Sequence, residues 1–183
     1  DTRLRSRPIL LEMASIVVAV ILGFAVTNWG EARRDRARAD AAMERIGMEV
    51  QANLGALAET VPYYGEMRQR LDSLIQVEGD LPLGEIEVAG WRGISPPSLR
   101  TASFDVAMST GTLEHMDFAV VDQVAVAYES IGDFETTVDQ GIAAALGGQM
   151  MTLADALTIF GLLSEVAAHA EAGLRLAADA VSG

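Results

Sequence analysis

A long apolar run at residues 9–29, ILLEMASIVVAVILGFAVTNW, constrains the fold of this chain more than any other feature. Arg3, Arg5 and Arg7 precede the run, and the charged stretch GEARRDRARAD follows it. About 20 apolar residues with a rise of about 1.5 Å each span the roughly 30 Å hydrocarbon core of a bilayer. The run therefore predicts one transmembrane helix with modest tilt, preceded by a short segment at residues 1–8 and followed by a domain at the bilayer surface.

A cleaved signal peptide is the alternative interpretation of this run. Gly23-Phe24-Ala25 is a small-x-small triplet of the kind that a signal peptidase accepts. The run is longer than the apolar core of a usual signal peptide, however, and Asn28 with Trp29 forms an interfacial anchor at its end. We therefore expect a retained span. Because the chain opens at Asp1 rather than Met, we also expect further residues to precede it.

Composition limits the chemistry available to the rest of the chain. About 150 residues outside the run suffice for one domain with a sizeable core. The 183-residue chain has no cysteine, which excludes disulfides, thiolate catalysis and thiolate metal ligands. His115 and His169 lie far apart without a metal-binding motif, and the run itself has no histidine to ligate a haem. We therefore expect no cofactor, no metal and no enzymatic activity.

Charge is divided unequally along the chain. Residues 1–45 hold 8 arginines against 6 acidic residues, whereas residues 46–183 hold 5 arginines against 20 acidic residues. An acidic surface repels phosphate backbones and anionic headgroups, so the distal domain is not expected to bind nucleic acid. Orientation is less clear, because the five arginines that follow the run outnumber the three before it and favour a cytoplasmic domain. A long acidic domain can be translocated regardless of nearby charge, and we expect the domain outside.

Small residues recur every fourth position within the run and predict a helix-packing face. Close backbone approach over small side chains is a main source of helix association in lipid. The face consists of Ser15, Ala19, Gly23 and Thr27. Glu12 is the one ionisable residue of the run and lies in its first turn, where headgroup water accommodates it. Glu12, Asn28 and Trp29 are therefore predicted interfacial residues.

Residues 30–77 predict a long amphipathic helix that leaves the membrane. Its apolar positions step by three or four and are Met43, Ile46, Val50, Leu54, Leu57, Val61, Tyr64, Met67, Leu71 and Leu74. Pro62 interrupts this pattern and is expected to kink or split the helix, because proline removes a backbone donor. Packing against other helices of the domain is the expected use of the apolar face, with coiled-coil pairing as the alternative.

Residues 78–100 predict a connecting loop, because Pro82, Pro96 and Pro97 break the helical periodicity. Long loops without regular structure are often functional, and Trp91 beside Arg92 makes this loop a candidate docking surface. The alternative is that Trp91 pins the loop onto the core.

Residues 101–183 predict a helical bundle domain. A short helix from Ser103 carries Phe104 and Met108 on one side and ends at Gly111. Asp117 is placed to cap the next helix, whose predicted apolar face starts at Phe118. A last helix, rich in alanine and glycine, follows Gly147-Gly148 and is expected to pack closely.

Two blocks of the chain resemble a known family. Residues 10–57, LLEMASIVVAVILGFAVTNWGEARRDRARADAAMERIGMEVQANLGAL, are similar to the opening of DUF6090-type bacterial membrane proteins, in which a Glu-containing span ends in Asn-Trp before a charged helix. Residues 101–129, TASFDVAMSTGTLEHMDFAVVDQVAVAYE, are similar to the second shared block. Gly30 stands where a second Asn is common, lysine is absent, and the C-terminal helix matches no block. The resemblance implies a topology and no activity.

These observations together predict an all-α protein with one N-terminal transmembrane helix, which continues into a long amphipathic helix, and an extramembrane helical bundle. The predicted location is the bacterial inner membrane, with the C-terminal domain in the periplasm. We expect a non-catalytic accessory or scaffold subunit whose partners are the lipid bilayer and other transmembrane subunits, with an energy-transducing (photosynthetic or respiratory) complex as a suitable host. A homo-oligomer is a further expectation. The alternative function is a sensor or ligand-binding domain that signals through a partner, with Pro62 as a hinge.

Overall fold

The computed structural model describes residues 6–147 and 150–182, with side-chain detail beginning at Met13 and omitting Ala14, and every regular element in this part is helical. A single antiparallel bridge joins Pro82 to Thr152, and short 3-10 turns occur at Leu83–Glu85 and Thr112–His115. The all-α prediction is thereby confirmed for the described residues. The α-helices are α1 (Ser6–Glu78), α2 (Ala102–Ser109), α3 (Phe118–Leu146) and α4 (Leu153–Ser182).

Helix α1 runs through 73 residues without a break, so the prediction that Pro62 would split it is wrong. A proline inside a helix removes one hydrogen bond and costs about 3 kcal/mol. Pro62 is exposed, and the two residues that follow it, Tyr63 and Tyr64, are buried at 8% and 0% exposure. Packing of these tyrosines in the core outweighs the local cost of the proline.

The two halves of α1 have opposite surroundings. Nine large apolar side chains between Met13 and Val26 are 51–67% exposed. From Ile46 to Leu71, in contrast, one face of the same helix is buried at the three- and four-residue spacing that the sequence predicted. The amphipathic prediction for the second half is confirmed, and the first half has an apolar surface on all sides that nothing in the described chain covers.

The second half of α1 forms a three-helix bundle with α3 and α4. Tyr128 and Phe134 of α3 contact Glu49 and Tyr64 of α1 respectively, so α3 runs in the same direction as α1, away from the apolar half. Helix α4 returns, because Phe160 lies against Tyr64 and the far end of α4 comes back to the level of Gly47. The free end of the bundle is therefore the end at which α3 finishes, at Leu146, and α4 begins, at Leu153.

Among the residues that the structure describes, two helices are long and apolar enough to cross a membrane, judged by length and composition. One is α1, whose apolar window near the N-terminus has a mean hydropathy of 1.5 and no buried residue. The other is α4, with a mean hydropathy of 1.3 and 33% of its window buried. Helix α4 packs along both α1 and α3, as a core helix does. The apolar half of α1 is therefore the better span candidate of the two.

The caps of the short elements lie where the sequence predicted them, whereas two apolar side chains of α2 and α3 are more exposed than predicted. Gly111 has a φ of 69° after α2, a conformation that favours glycine, and the carboxylate of Asp117 accepts hydrogen bonds from the first backbone N–H groups of α3. Helix α2 begins at Ala102, one residue before the predicted Ser103. Phe118 opens the predicted apolar face of α3, and Met108 belongs to the predicted apolar side of α2, but they are 82% and 58% exposed. The prediction is wrong for these two positions, because the buried residues of α3 begin at Val124 and the buried residue of α2 is Ala107.

Candidate functional site

The predicted helix-packing face lies along one side of the exposed half of α1. Ser15, Ala19, Gly23 and Thr27 are all exposed. The hydroxyl of Thr27 donates to the carbonyl of Gly23 at 3.0 Å, which satisfies it within the helix, and a Cβ added to Gly23 would meet no other atom within 4 Å. The face is thus shallow and almost without projecting polar groups, and a second helix can approach its backbone closely. Its role in helix packing stays a prediction.

The ends of the apolar half carry the predicted interfacial residues. Asn28 and Trp29 are exposed at the end nearer the bundle, with Trp29 at 66%. The guanidinium of Arg33 lies 5.9 Å from the Trp29 ring centroid, one turn further along the helix. The side chain of Glu12 lies outside the described residues. The arrangement at Trp29 places an aromatic ring and a cation where the apolar surface ends.

Side chains of α1 hold the loop at residues 79–101 onto the bundle. The Asn53 amide donates to the carbonyl of Arg100 and accepts from its N–H, both at 2.8 Å. The hydroxyl of Tyr63 donates to the carbonyl of Gly93 at 2.9 Å and accepts from the N–H of Arg92 at 3.0 Å. Arg70 donates to the carbonyl of Ala89. The loop is therefore held against α1 by hydrogen bonds from three α1 side chains, at three positions along the loop.

Trp91 and Arg92, the candidate docking residues, lie together on this loop. The Trp91 ring is half-buried against Phe160, with centroids 5.1 Å apart and planes at 51°. The exposed Arg92 places its guanidinium 4.2 Å from the ring centroid of Tyr63. Trp91 thus packs the loop onto the core, while Arg92 offers a cation to solvent at the same place. This pair is remote from the Ser15–Thr27 face, and its docking role stays a prediction.

An apolar cavity of about 210 Å³ opens beside Trp91 at the free end of the bundle. Loop residues and the facing ends of α3 and α4 form its walls, and its lining has no charged side chain. The main lining side chains are Trp91, Ile94, Ile142, Met151, Ile159 and Phe160. The cavity is large enough for a small apolar molecule, because engineered apolar cavities of about 150 Å³ bind benzene.

The buried carboxylate of Glu49 links α1, α2 and α3, and the sequence analysis did not predict this cluster. Glu49 is 7% exposed, and its two oxygens accept hydrogen bonds from the hydroxyl of Tyr128 at 2.6 Å and the N–H of Ser103 at 2.9 Å. Phe104 stacks on Tyr128 with ring centroids 4.5 Å apart and planes at 10°. The signal that could have found this cluster is the acidic Glu49 within the predicted apolar face, between Ile46 and Asn53.

The pKa values of two core tyrosines, Tyr128 and Tyr64, are both raised. Burial, followed by the hydrogen bond to the Glu49 carboxylate, raises the pKa of Tyr128 above its usual range. Burial, followed by the neighbouring Tyr63, raises the pKa of Tyr64 to about 12. The hydroxyl of Tyr64 has no hydrogen-bond partner in the described part of the chain. Both tyrosines are therefore held in the neutral form.

Several acidic side chains accept hydrogen bonds from backbone N–H groups at helix ends. Asp117 caps α3, Asp155 accepts from the N–H of Thr152, and Asp80 accepts from the N–H of Ala154 at the start of α4. Across residues 6–147 and 150–182, no three His, Asp or Glu side chains are grouped as metal ligands would be. The observed contacts of these acids are structural, and the expectation of a non-catalytic protein stays a prediction.

Tyr128→Phe is expected to lower the free energy of unfolding by about 1.5–3 kcal/mol, because it removes a hydrogen bond to a buried carboxylate. Tyr64→Phe is the matched control: it removes a buried hydroxyl without a partner and is expected to leave stability unchanged or raise it by about 1 kcal/mol. Urea unfolding of both variants in detergent micelles, followed by circular dichroism, measures the difference. An equal loss of unfolding free energy in the two variants would contradict the assigned role of the Glu49 cluster.

Stability is expected to fall at alkaline pH. Tyrosine in the unfolded chain has a pKa of about 10, and the folded pKa values of Tyr64 and Tyr128 are higher, so their contribution is complete below about pH 10 and is lost above it. Each tyrosine adds a slope of up to about 1.4 kcal/mol per pH unit. Unfolding measured from about pH 8 to pH 11.5 tests this. The Tyr64→Phe, Tyr128→Phe double variant is expected to show a flatter curve, and an unchanged curve would contradict the assignment.

Comparison with protein-family models, with curated proteins and with solved structures found no match to this chain. The resemblance to DUF6090-type proteins therefore stays a prediction that rests on the two blocks quoted above.

Proposed function

We propose that this protein is a single-pass membrane protein that acts as a non-catalytic accessory or scaffold subunit of a larger inner-membrane complex. The observation that carries the proposal is the division of α1. Its second half is the central helix of a folded domain, whereas its first half presents apolar side chains on all sides. A helix rigidly attached to a domain at one end and uncovered at the other requires a different environment for each half.

The bilayer is the environment that fits the first half. Fully burying one Val, Leu, Ile, Phe or Met side chain is worth about 1.5–3 kcal/mol, and nine such side chains between Met13 and Val26 are exposed in the isolated chain. An apolar surface of this extent on a soluble monomer would drive aggregation. Trp29 and Arg33 at its end nearer the bundle are the residue types that anchor a span at the headgroups.

Partner helices are supported by the small-residue face. Within lipid, apolar side chains gain little from leaving the acyl chains, so association depends on close packing. The face from Ser15 to Thr27 offers such packing, and Gly23 leaves open space above its backbone. A scaffold role requires two contacts. A transmembrane subunit occupies this face, and the acidic domain, which lies in the periplasm in the proposed orientation, contacts the aqueous parts of the same complex. An energy-transducing complex of the inner membrane is the proposed host.

Ala19→Leu is expected to release the protein from its native assembly, because the larger side chain fills the close-packing face. Ala25→Leu is the matched control, since it makes the same substitution about 120° away around the helix. Gentle detergent extraction followed by native gel separation and mass spectrometry measures co-migration with larger membrane subunits. Co-migration retained by Ala25→Leu and lost by Ala19→Leu is the expected result.

Two further variants test the same proposal independently. Gly23→Leu fills the face one turn further along, and Trp91→Ala removes the aromatic ring of the candidate docking surface. The scaffold proposal would be abandoned if both variants left every native assembly intact. It would also be abandoned if the wild-type protein migrated alone or as a small homo-oligomer.

The cavity beside Trp91 favours a second candidate function, binding of a small apolar ligand by a sensor domain. Its walls combine the loop with the ends of α3 and α4, so an occupant would contact three segments at once. The uninterrupted helix α1 connects the bundle to the span and provides a rigid element between the ligand and a membrane partner. In this function the cavity, rather than the small-residue face, is the primary site.

Benzene and toluene are expected to raise the thermal midpoint of the wild-type protein if the cavity binds apolar ligands. Ala145→Trp is the control variant, because Ala145 lines the cavity and is exposed, so a larger side chain there blocks the opening. Thermal unfolding monitored by circular dichroism measures the effect. No stabilisation of the wild-type protein, or equal stabilisation of both, would count against ligand binding in this cavity.

A further inference from the structure

The cavity beside Trp91 has walls that hydrogen bonds hold in place. The N–H of Leu83 donates to the carbonyl of Met151 at 2.8 Å, and the N–H of Leu153 donates to the carbonyl of Leu81 at 2.9 Å. These two bonds join the start of the loop to the start of α4, and the hydrogen bonds from α1 hold the rest of the loop. A ligand therefore enters a preformed site and does not have to order the loop on binding.

The volume of the cavity limits the size of its ligand. An apolar cavity of about 150 Å³ binds benzene, so a cavity of about 210 Å³ holds roughly eight or nine non-hydrogen atoms. On one side, a Cβ added to Gly141 would lie 3.3 Å from Cδ1 of Ile94 and 3.1 Å from Cγ2 of Ile159, so tight packing bounds the space there. The cavity fits one substituted ring or two small fused rings.

Two aromatic side chains of the lining favour a planar ligand. Trp91 and Phe160 both line the cavity, with ring centroids 5.1 Å apart and planes at 51°. Phe160 also contacts the rings of Tyr63 and Tyr64 at centroid distances of 6.0 and 5.7 Å, and these contacts hold its orientation. Aromatic pairs that are offset-stacked or edge-to-face gain roughly two- to tenfold in affinity beyond the burial of apolar area.

The remaining lining favours a neutral ligand. None of the described residues that line the cavity is charged. Arg92 follows Trp91 in the loop, but its guanidinium lies 4.2 Å from the ring centroid of Tyr63 and is not part of the lining. An ionised group that enters apolar surroundings without a partner loses its hydration at a large cost in free energy. A carboxylate on the ligand would therefore oppose binding.

We propose that the cavity is a binding site for a neutral aromatic molecule of one or two rings, which packs against Trp91 and Phe160. The inference rests on the second candidate function, in which the domain binds a small apolar ligand, and it names the chemical class of that ligand. An aliphatic ring of the same outline lacks the aromatic contacts, and an aromatic carboxylate lacks a cation in the lining.

Fluorine NMR of the full-length chain in detergent micelles tests this class, because the sequence has two tryptophans, Trp29 and Trp91. Incorporation of 5-fluorotryptophan gives one signal from each residue, and Trp29→Phe assigns the two signals. The Trp91 signal reports on the cavity. The Trp29 signal reports on ligand that has dissolved in the micelle.

The probes are toluene, methylcyclohexane and benzoate, which are single rings of similar outline. Each affinity is divided by the partition coefficient of the probe from water into hexadecane, because this removes the difference in hydration between the two hydrocarbons. The expected corrected affinity of toluene exceeds that of methylcyclohexane by roughly two- to tenfold. Benzoate is expected to give no saturable shift of the Trp91 signal. Equal corrected affinities, or benzoate binding as tight as that of toluene, would overturn the inference.

A matched pair of variants tests the location of the site. Ala145 and Ala143 are both exposed on α3, and of these two only Ala145 lines the cavity. Ala145→Leu is expected to weaken toluene binding several-fold, because the larger side chain occupies the opening. Ala143→Leu is expected to leave the affinity unchanged. Equal toluene affinities in the two variants would overturn the assignment to this cavity.

The outcomes separate this inference from the functions proposed above. Saturable binding of both hydrocarbons with equal corrected affinities would overturn the aromatic class and leave the cavity as a site for apolar ligands. No saturable shift of the Trp91 signal with either hydrocarbon would overturn the second candidate function and this inference together. The scaffold function depends on neither result, because co-migration with membrane subunits tests it.

Discussion

The packing of Tyr64 between Phe134 and Phe160 joins the three long helices of the bundle. The Tyr64 ring has no solvent exposure, and its centroid lies 6.4 Å from that of Phe134 and 5.7 Å from that of Phe160. Because Tyr64 belongs to the same uninterrupted helix as the apolar run, fixing this ring in the core also fixes the direction in which the run leaves the domain. A split at Pro62 would have separated Tyr64 from the part of α1 that continues into the apolar run, and the burial of Tyr63 and Tyr64 accompanies a continuous helix from Ser6 to Glu78.

Polar contacts along α1 determine where the remaining segments lie. Glu49 holds the start of α2 and Tyr128. Asn53 holds the end of the loop that carries Trp91, at Arg100, and Tyr63 holds the middle of this loop, at Gly93. A buried carboxylate is stabilising only when its oxygens are satisfied, so this set of contacts specifies one arrangement rather than adding general stability. The apolar cavity follows from it, because the fixed loop closes over the ends of α3 and α4 without filling the space between them.

Local chemistry made much of this fold predictable from the sequence. The three- and four-residue spacing of apolar residues predicted the buried face of α1, Asp117 predicted a helix start, and Gly111 predicted the end of the short helix α2, where it has a φ of 69°. The predictions from the sequence were wrong where tertiary packing outweighs a local conformational preference. Propensity at Pro62 favours a break, and the apolar character of Phe118 favours the core. The Glu49 cluster was not predictable, because its partners are 54 and 79 residues away in the sequence.

The proposed function requires α1 to be one rigid helix that crosses from the bilayer into the bundle, and a distance between two spin labels on that helix tests this most directly. Phe24 lies in the apolar half and Gln51 in the bundle half, both exposed, so cysteines at these positions accept labels. Their separation of 27 residues corresponds to about 40 Å in a continuous helix. A narrow distribution near that value, measured by pulsed electron–electron double resonance in nanodiscs, is the predicted result. A broad distribution or a clearly shorter mean distance would show that the helix breaks between membrane and domain, and would contradict the account.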